Sequence, residues 1–257
     1  MPPSWGAAAL LHPSRKVLTE TPPLPAEKVE IVADGIVLKG WRFRAAGERR
    51  GTIVYLHGSA DNRASVAGVA KRYVPRGYDV LAYDSRAHGD STGDACTYGY
   101  FEKRDLAKAI DSLKVPSAAV IGTSLGAAVA LQAAAEDPRI ARVVAISTFS
   151  DLRTVASERA PFFASAGNIR EAIAITEQQA GFVVDEVSPV KAAARLSVPV
   201  LLVHGAVDHE TPPAHSERVY QALKGPKRLL LLAKSGHAVG LDEATWQVID
   251  EWLTPPT

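Results

Sequence analysis

A single cysteine, Cys96, stands among the 257 residues, so no internal disulfide can form and no cysteine-rich metal site can be built. That scarcity fits a reducing compartment, and a cytoplasmic location is the expectation. Charge of one sign is missing too. The chain sets 29 Lys and Arg against 28 Asp and Glu, a formal +1, and no basic stripe with interleaved aromatics appears, so nucleic acid is not an expected partner. No apolar run approaches the roughly 18–20 residues that a membrane-spanning helix needs. The apolar stretch 5–11 has no basic segment before it, and the charges of His12-Pro13-Ser14-Arg15-Lys16 fall on the wrong side for a secretory leader. It is expected to pack on the domain as a short helix, the alternative being contact with a membrane surface.

What the chain does have is 47% hydrophobic residues, enough for one large core. Short Val/Ile/Leu/Ala-rich runs alternate with helical patterns, the rhythm of parallel strands joined by crossover helices. The runs at 29–32 and 36–43, separated by Asp34-Gly35, read as an antiparallel hairpin. Strands covered on both faces are expected at 52–56, 79–83, 118–121, 143–146, 200–203 and 228–232. Helices are expected at 64–74, 101–113, 125–136, 214–223 and 243–253. The fold class is therefore α/β, a mostly parallel central sheet flanked by helices.

One interval breaks the rhythm. About fifty residues separate the 143–146 and 200–203 strands, more than a crossover requires, and 169–181 has helical apolar spacing. Residues 153–187 read as a small helical cap inserted after the sixth strand, over the carboxyl edge of the sheet. The division that follows is an N-terminal extension at 1–28, a core made of 29–152 and 188–257, and the cap between them.

The 118–121 strand runs into Gly122-Thr123-Ser124-Leu125-Gly126 and then a small-residue helix. In this strand–turn–helix setting G-x-S-x-G presents the serine hydroxyl above the sheet, and the two glycines allow close backbone approach. Serine needs a base. Chain order selects His237, in the glycine-flanked Ser235-Gly236-His237-Ala238-Val239-Gly240 loop after the last strand. The acid belongs between serine and histidine in the chain. Asp208, after the 200–203 strand, is the first candidate, Asp151 the runner-up and Glu210 a distant third, with His209 a bystander. Two main-chain donors, the Leu125 N–H and the Ser59 N–H, are placed to meet an oxyanion. His57 reads as a support for the Ser59 loop, and Asp84, Arg86 and His88 as loop braces. Phe162, Phe163, Ile169, Ile173 and Phe182 of the cap are candidate walls of an acyl pocket. This constellation requires no metal and no organic cofactor.

From about residue 29 to 253 the chain resembles the α/β-hydrolase superfamily. The residues that carry the resemblance are His57-Gly58 through Asn62-Arg63, the 84–91 segment, the Ser124 turn and 147–152, which look like bacterial serine hydrolases of the serine-aminopeptidase type. The resemblance implies Ser124, Asp208 and His237 as a triad and Ser59 and Leu125 as oxyanion donors. It departs at Ala87, where relatives usually carry glycine in an R-G-H-G segment. The expected activity is hydrolysis of small to medium carboxylic esters through an acyl-enzyme. A peptidase or amidase, a lysophospholipase-like lipid esterase and a non-catalytic binding member of the fold are the alternatives.

Overall fold

The computed structural model describes residues 2–237 and 240–254. Eight strands form one sheet: β1 (Glu27–Ala33), β2 (Ile36–Phe43), β3 (Gly51–Leu56), β4 (Tyr78–Tyr83), β5 (Ala118–Thr123), β6 (Ile140–Ile146), β7 (Val200–Gly205) and β8 (Lys227–Leu232). Their order across the sheet is β1-β2-β4-β3-β5-β6-β7-β8. β1 pairs antiparallel with β2, and β2 with β4; every later pairing is parallel. The chain thus winds outward from β3 in both directions. In such sheets the crevice lies at the carboxyl ends, where connections part to opposite sides.

Alternate residues of each central strand bury on opposite faces, which is the period of two that a pleated strand imposes. Val54, Leu56, Val120, Val143 and Leu202 join one core with α3 (Glu102–Leu113), α4 (Leu125–Ala134) and α8 (Ala214–Ala222). Ile53, Tyr55, Ile121, Val144 and Leu201 join the other with α2 (Ala67–Tyr73) and α9 (Glu243–Leu253). In α3 the buried Leu106, Ala109, Ile110 and Leu113 follow the i, i+3, i+4, i+7 spacing of an amphipathic helix. Every residue of α4 is buried, which its alanine-rich sequence permits because small side chains let it lie tight on the sheet.

Between β6 and β7 the chain forms α5 (Leu152–Glu158), α6 (Ala166–Ala180), a 3-10 turn at Val184–Glu186 and α7 (Pro189–Ala193). Helix α6 is the one its apolar spacing predicts. Helices α5 and α7 are additions, each announced by a capping side chain: Asp151 accepts from the Thr154 N–H at 2.8 Å, and Ser188 accepts from the Lys191 N–H at 3.3 Å ahead of Pro189. The single helix expected at 64–74 is instead a 3-10 turn, α2 and a second 3-10 turn that contains Pro75 and is closed by Gly77 at φ 89°.

The apolar N-terminal stretch is a helix, α1 (Pro3–Leu11), and it packs on α6. A Cβ at Gly6 would lie 3.1 Å from the Ala172 Cβ, and Ala7 and Leu11 are buried. The segment after it is pinned across the loops at the carboxyl edge. Arg15 donates to the Ser91 carbonyl, the Asn62 amide donates to the Lys16 carbonyl, and Lys16 pairs with Asp61 at 3.1 Å.

Candidate active site

Ser124 sits between β5 and α4 with φ 50° and ψ −110°, a conformation costing about 1–3 kcal/mol for a non-glycine residue. The surroundings hold it there. A Cβ at Gly122 would come within 2.3 Å of the Gly126 carbonyl oxygen, and one at Gly126 within 2.3 Å of the Leu56 carbonyl oxygen, so only glycine permits this approach of strand, turn and helix. The Ser124 N–H donates to the Ile146 carbonyl at 2.7 Å, tying the turn to the neighbouring strand.

The hydroxyl so presented meets a histidine. Ser124 Oγ lies 3.0 Å from His237 Nε2, and His237 Nδ1 lies 2.7 Å from Asp208 Oδ2. Three strand ends, those of β5, β7 and β8, supply these groups. Asp208 Oδ1 accepts from the N–H groups of Glu210 and Thr211, each at 2.9 Å. Burial pushes the Asp208 carboxyl up, but the Thr211 donor and His237 outweigh it and hold it below the usual carboxylate range. The aspartate is therefore an anion near neutral pH, and it fixes the His237 tautomer with Nδ1 protonated and Nε2 free to accept from serine. Ala238 and Val239 of the histidine loop lie outside the described residues.

The other acid candidates are placed elsewhere. Asp151 caps α5 and also accepts from the Ser150 hydroxyl at 2.9 Å; burial raises its carboxyl, and the Thr154 donors bring it below its ordinary value. Glu210 offers its carbonyl to Arg159, and His209 is exposed.

Leu125 is the first residue of α4, so its N–H has no acceptor within the helix and stands at the positive end of the helix dipole. Gly58 runs against the Ser124 turn, since a Cβ there would lie 3.6 Å from the Ser124 Cβ, and this brings the following Ser59 to the same corner. His57 braces that loop. Its Nε2 accepts from the Ser85 N–H at 2.9 Å and its Nδ1 donates to the Gly58 carbonyl at 2.7 Å. Complete burial, with His88 alongside, lowers its pKa to about 4. Asp84 is buried and accepts from the N–H groups of Arg63 (2.7 Å) and Asp90 (2.9 Å) and from the Arg63 guanidinium. Arg86 forks onto Asp105 with two bonds of 2.7 Å. Ala87 adopts φ 60°, the left-handed conformation for which glycine is the ordinary occupant.

A cavity of about 460 Å³ opens beside this corner, lined by Ser59 and Ala60 at one side and by α1, α5, α6 and Tyr98 around it. Ile169 and Ile173 line it. The three phenylalanines do not. Phe162 and Phe163 are 99% and 62% exposed on the loop between α5 and α6, and Phe182 is buried behind the wall, in the cluster that also holds Leu152 and Ile173, with its ring against Tyr100. A wall that pattern reading misses is α1, whose Gly6, Ala9 and Leu10 face the cavity.

A sequence profile of the α/β-hydrolase fold matches residues 51–168. The uncharacterised protein YfhR of Escherichia coli is 30% identical over 228 residues, 84% of this chain and 74% of that protein. YqkD of Bacillus subtilis is 30% identical over 80% of this chain and 71% of its own length. Among solved structures, an esterase of Pyrococcus furiosus superposes with a TM-score of 0.73 at 25% identity, covering 93% of this chain and 94% of the esterase. The chain belongs to the α/β-hydrolase superfamily.

Two positions around the site of this hydrolase are not signalled by its motifs. His204, at the end of β7, is fully buried; its Nε2 donates to the Thr211 carbonyl at 2.8 Å and its Nδ1 accepts from the Ser216 hydroxyl at 2.6 Å. Ser147, at φ 53° after β6, donates from its hydroxyl to the His237 carbonyl at 3.3 Å. Sequence offers one signal for His204, its place in a Leu-Val-His-Gly strand end like that of His57, and none for Ser147. Among the described residues no helix is long and apolar enough to cross a membrane, and no group of three His, Cys, Asp or Glu side chains could hold a metal ion.

Proposed function

We propose that this chain is a serine hydrolase that cleaves carboxylic esters of small to medium acyl length through an acyl-enzyme. One observation carries the reading: the continuous series Asp208 Oδ2, His237, Ser124 Oγ, with spacings of 2.7 and 3.0 Å and the serine held in a strained turn. In the reaction Ser124 Oγ attacks the ester carbonyl carbon while His237 Nε2 takes its proton. The carbonyl oxygen becomes an oxyanion facing the Leu125 and Ser59 N–H groups, which are fixed before the charge develops. Collapse of the tetrahedral intermediate expels the alcohol, which leaves with the proton from His237. Water then attacks the acyl-enzyme, gives its proton to His237, and releases the carboxylic acid with Ser124 restored. Asp208 holds the imidazole and stabilises its cation throughout.

The cap 153–187 and α1 supply the walls for the acyl group. Their small and branched apolar side chains suit an acyl chain better than a polar peptide, and this supports ester over amide substrates. The test is hydrolysis of 4-nitrophenyl esters of increasing acyl length by wild type, with Ser124→Ala beside it. The reading expects turnover with a short-to-medium optimum that vanishes in the alanine variant. Turnover that survives in Ser124→Ala, or none with any ester, contradicts it.

A further inference from the structure

The cavity beside Ser59 is apolar on most of its wall, with Leu10, Val155 and Ile173 among its lining, yet one full charge lies on it: Arg159. Its partners are neutral. Nε donates to the Glu210 carbonyl at 2.9 Å and Nη2 to the Thr211 hydroxyl at 2.5 Å, while among the described residues no carboxylate comes within ion-pair distance of it. Those two bonds engage one side of the planar guanidinium. Among the described residues Nη1 has no hydrogen-bond partner, so the end-on edge, one N–H of Nη1 beside the second of Nη2, presents a fork that matches the two oxygens of an anionic group. The anchoring turn fixes the orientation of the fork, so little side-chain freedom is lost when an anion arrives. Glu210 and Thr211 belong to the turn whose N–H groups hold Asp208. The charge on the cavity wall is therefore tied to the turn that carries Asp208. Its field also reaches across to Tyr98 on another wall.

We infer that Arg159 is a substrate-recognition residue and that the preferred ester carries a carboxylate group together with an apolar acyl chain. The inference rests on the ester-hydrolase reading for its chemistry, but not for its binding. Arg159 is exposed at the mouth of the cavity, so a carboxylate seated on the end-on fork makes a bidentate charge-assisted pair that weakens as salt rises.

The test compares 4-nitrophenyl hexanoate with mono-4-nitrophenyl adipate, which has the same six-carbon acyl chain and a terminal carboxylate. In Arg159→Gln the kcat/KM for the adipate ester is expected to fall tenfold or more while that for the hexanoate ester changes less than threefold. Arg159→Lys, which keeps the charge and loses the fork, is expected to fall between. Equal losses on both esters would mean that Arg159 only braces the Asp208 turn, and an unchanged ratio would mean that it touches no substrate anion; either overturns the inference. Equilibrium binding of the adipate monoester to Ser124→Ala and to Ser124→Ala/Arg159→Gln separates this from the reaction itself. Tighter binding to the first by tenfold or more supports Arg159 even if wild type turns over neither ester, and equal affinities refute it.

Discussion

His204 stands beneath Asp208, with its Nε2 3.2 Å from the same Oδ2 that meets His237. Both side chains are wholly buried. His237 thus meets one carboxylate oxygen, with His204 close by and its own Nε2–H given to the Thr211 carbonyl, while the Glu210 and Thr211 N–H groups hold the other oxygen. If Asp208 orients His237 as proposed, His204 is placed to act through it as a positioning residue. Replacing it with Asn should lower kcat about tenfold with little change in KM, because the acid is reoriented and substrate contacts are not. A buried unsatisfied partner also costs about 1–3 kcal/mol of stability. Parallel steady-state kinetics and thermal melts check both; a rise in KM alone would place His204 elsewhere in the mechanism.

The two candidate acids divide in their expected effects. Asp208→Asn should reduce kcat by about four orders of magnitude with the fold intact, as expected for loss of the histidine-orienting anion. Asp151→Asn should leave kcat within about threefold, and Asp151→Ala should cost about 1 kcal/mol because the cap on α5 is lost. Kinetics of the purified variants, with denaturant midpoints, decide the matter. A large kcat effect at Asp151 would contradict the assignment.

Stability should fall on acidification from pH 7 to 5. Burial lowers the pKa of His57 to about 4 and moves His88, His204 and His215 in the same direction. A histidine depressed on folding binds its proton more readily when unfolded, so its contribution is complete above the unfolded value near 6.5 and is lost as pH drops toward the folded value. For His57 that amounts to about 3 kcal/mol at most. Asp105 works against this trend. Burial raises its carboxyl to about 6 despite Arg86, so its protonation favours the folded state over part of the same range. Denaturant midpoints across pH 7 to 4 should decline, and His57→Gln should flatten the slope even if it lowers stability overall. An unchanged slope in that variant would contradict the buried neutral histidine.

The strands and the turn that carries Ser124 were legible in the sequence for a common physical reason. Buried parallel strands are continuous apolar runs, and the serine turn demands glycines at Gly122 and Gly126 that no other geometry requires at that spacing. The six runs from 52 to 232 accordingly fall on β3 to β8, with ends differing by up to three residues, as at Ile140. The helices between β6 and β7 were harder. Asp151 reads in the sequence as a second candidate acid, and the Thr154 N–H at its carboxylate shows a helix cap there. The cavity was the least legible part. Aromatic residues in an insertion suggest a pocket wall, but Phe162 and Phe163 point outward, while the wall is made by alanines, prolines and a helix some 150 residues earlier in the chain. Periodicity reports which face of an element is buried, not which distant element covers it. Ala87 carries a similar lesson: the expected glycine conformation persists at φ 60° although the side chain has changed.

The proposed chemistry requires Ser124 to be a nucleophile activated by His237, and covalent capture reads that directly. Wild type treated with a fluorophosphonate and mapped by peptide mass spectrometry should carry one adduct, on Ser124. Labelling should be absent in Ser124→Ala and slowed at least a hundredfold in His237→Ala. An adduct on another serine, or none while the protein is folded, would contradict Ser124 as the nucleophile.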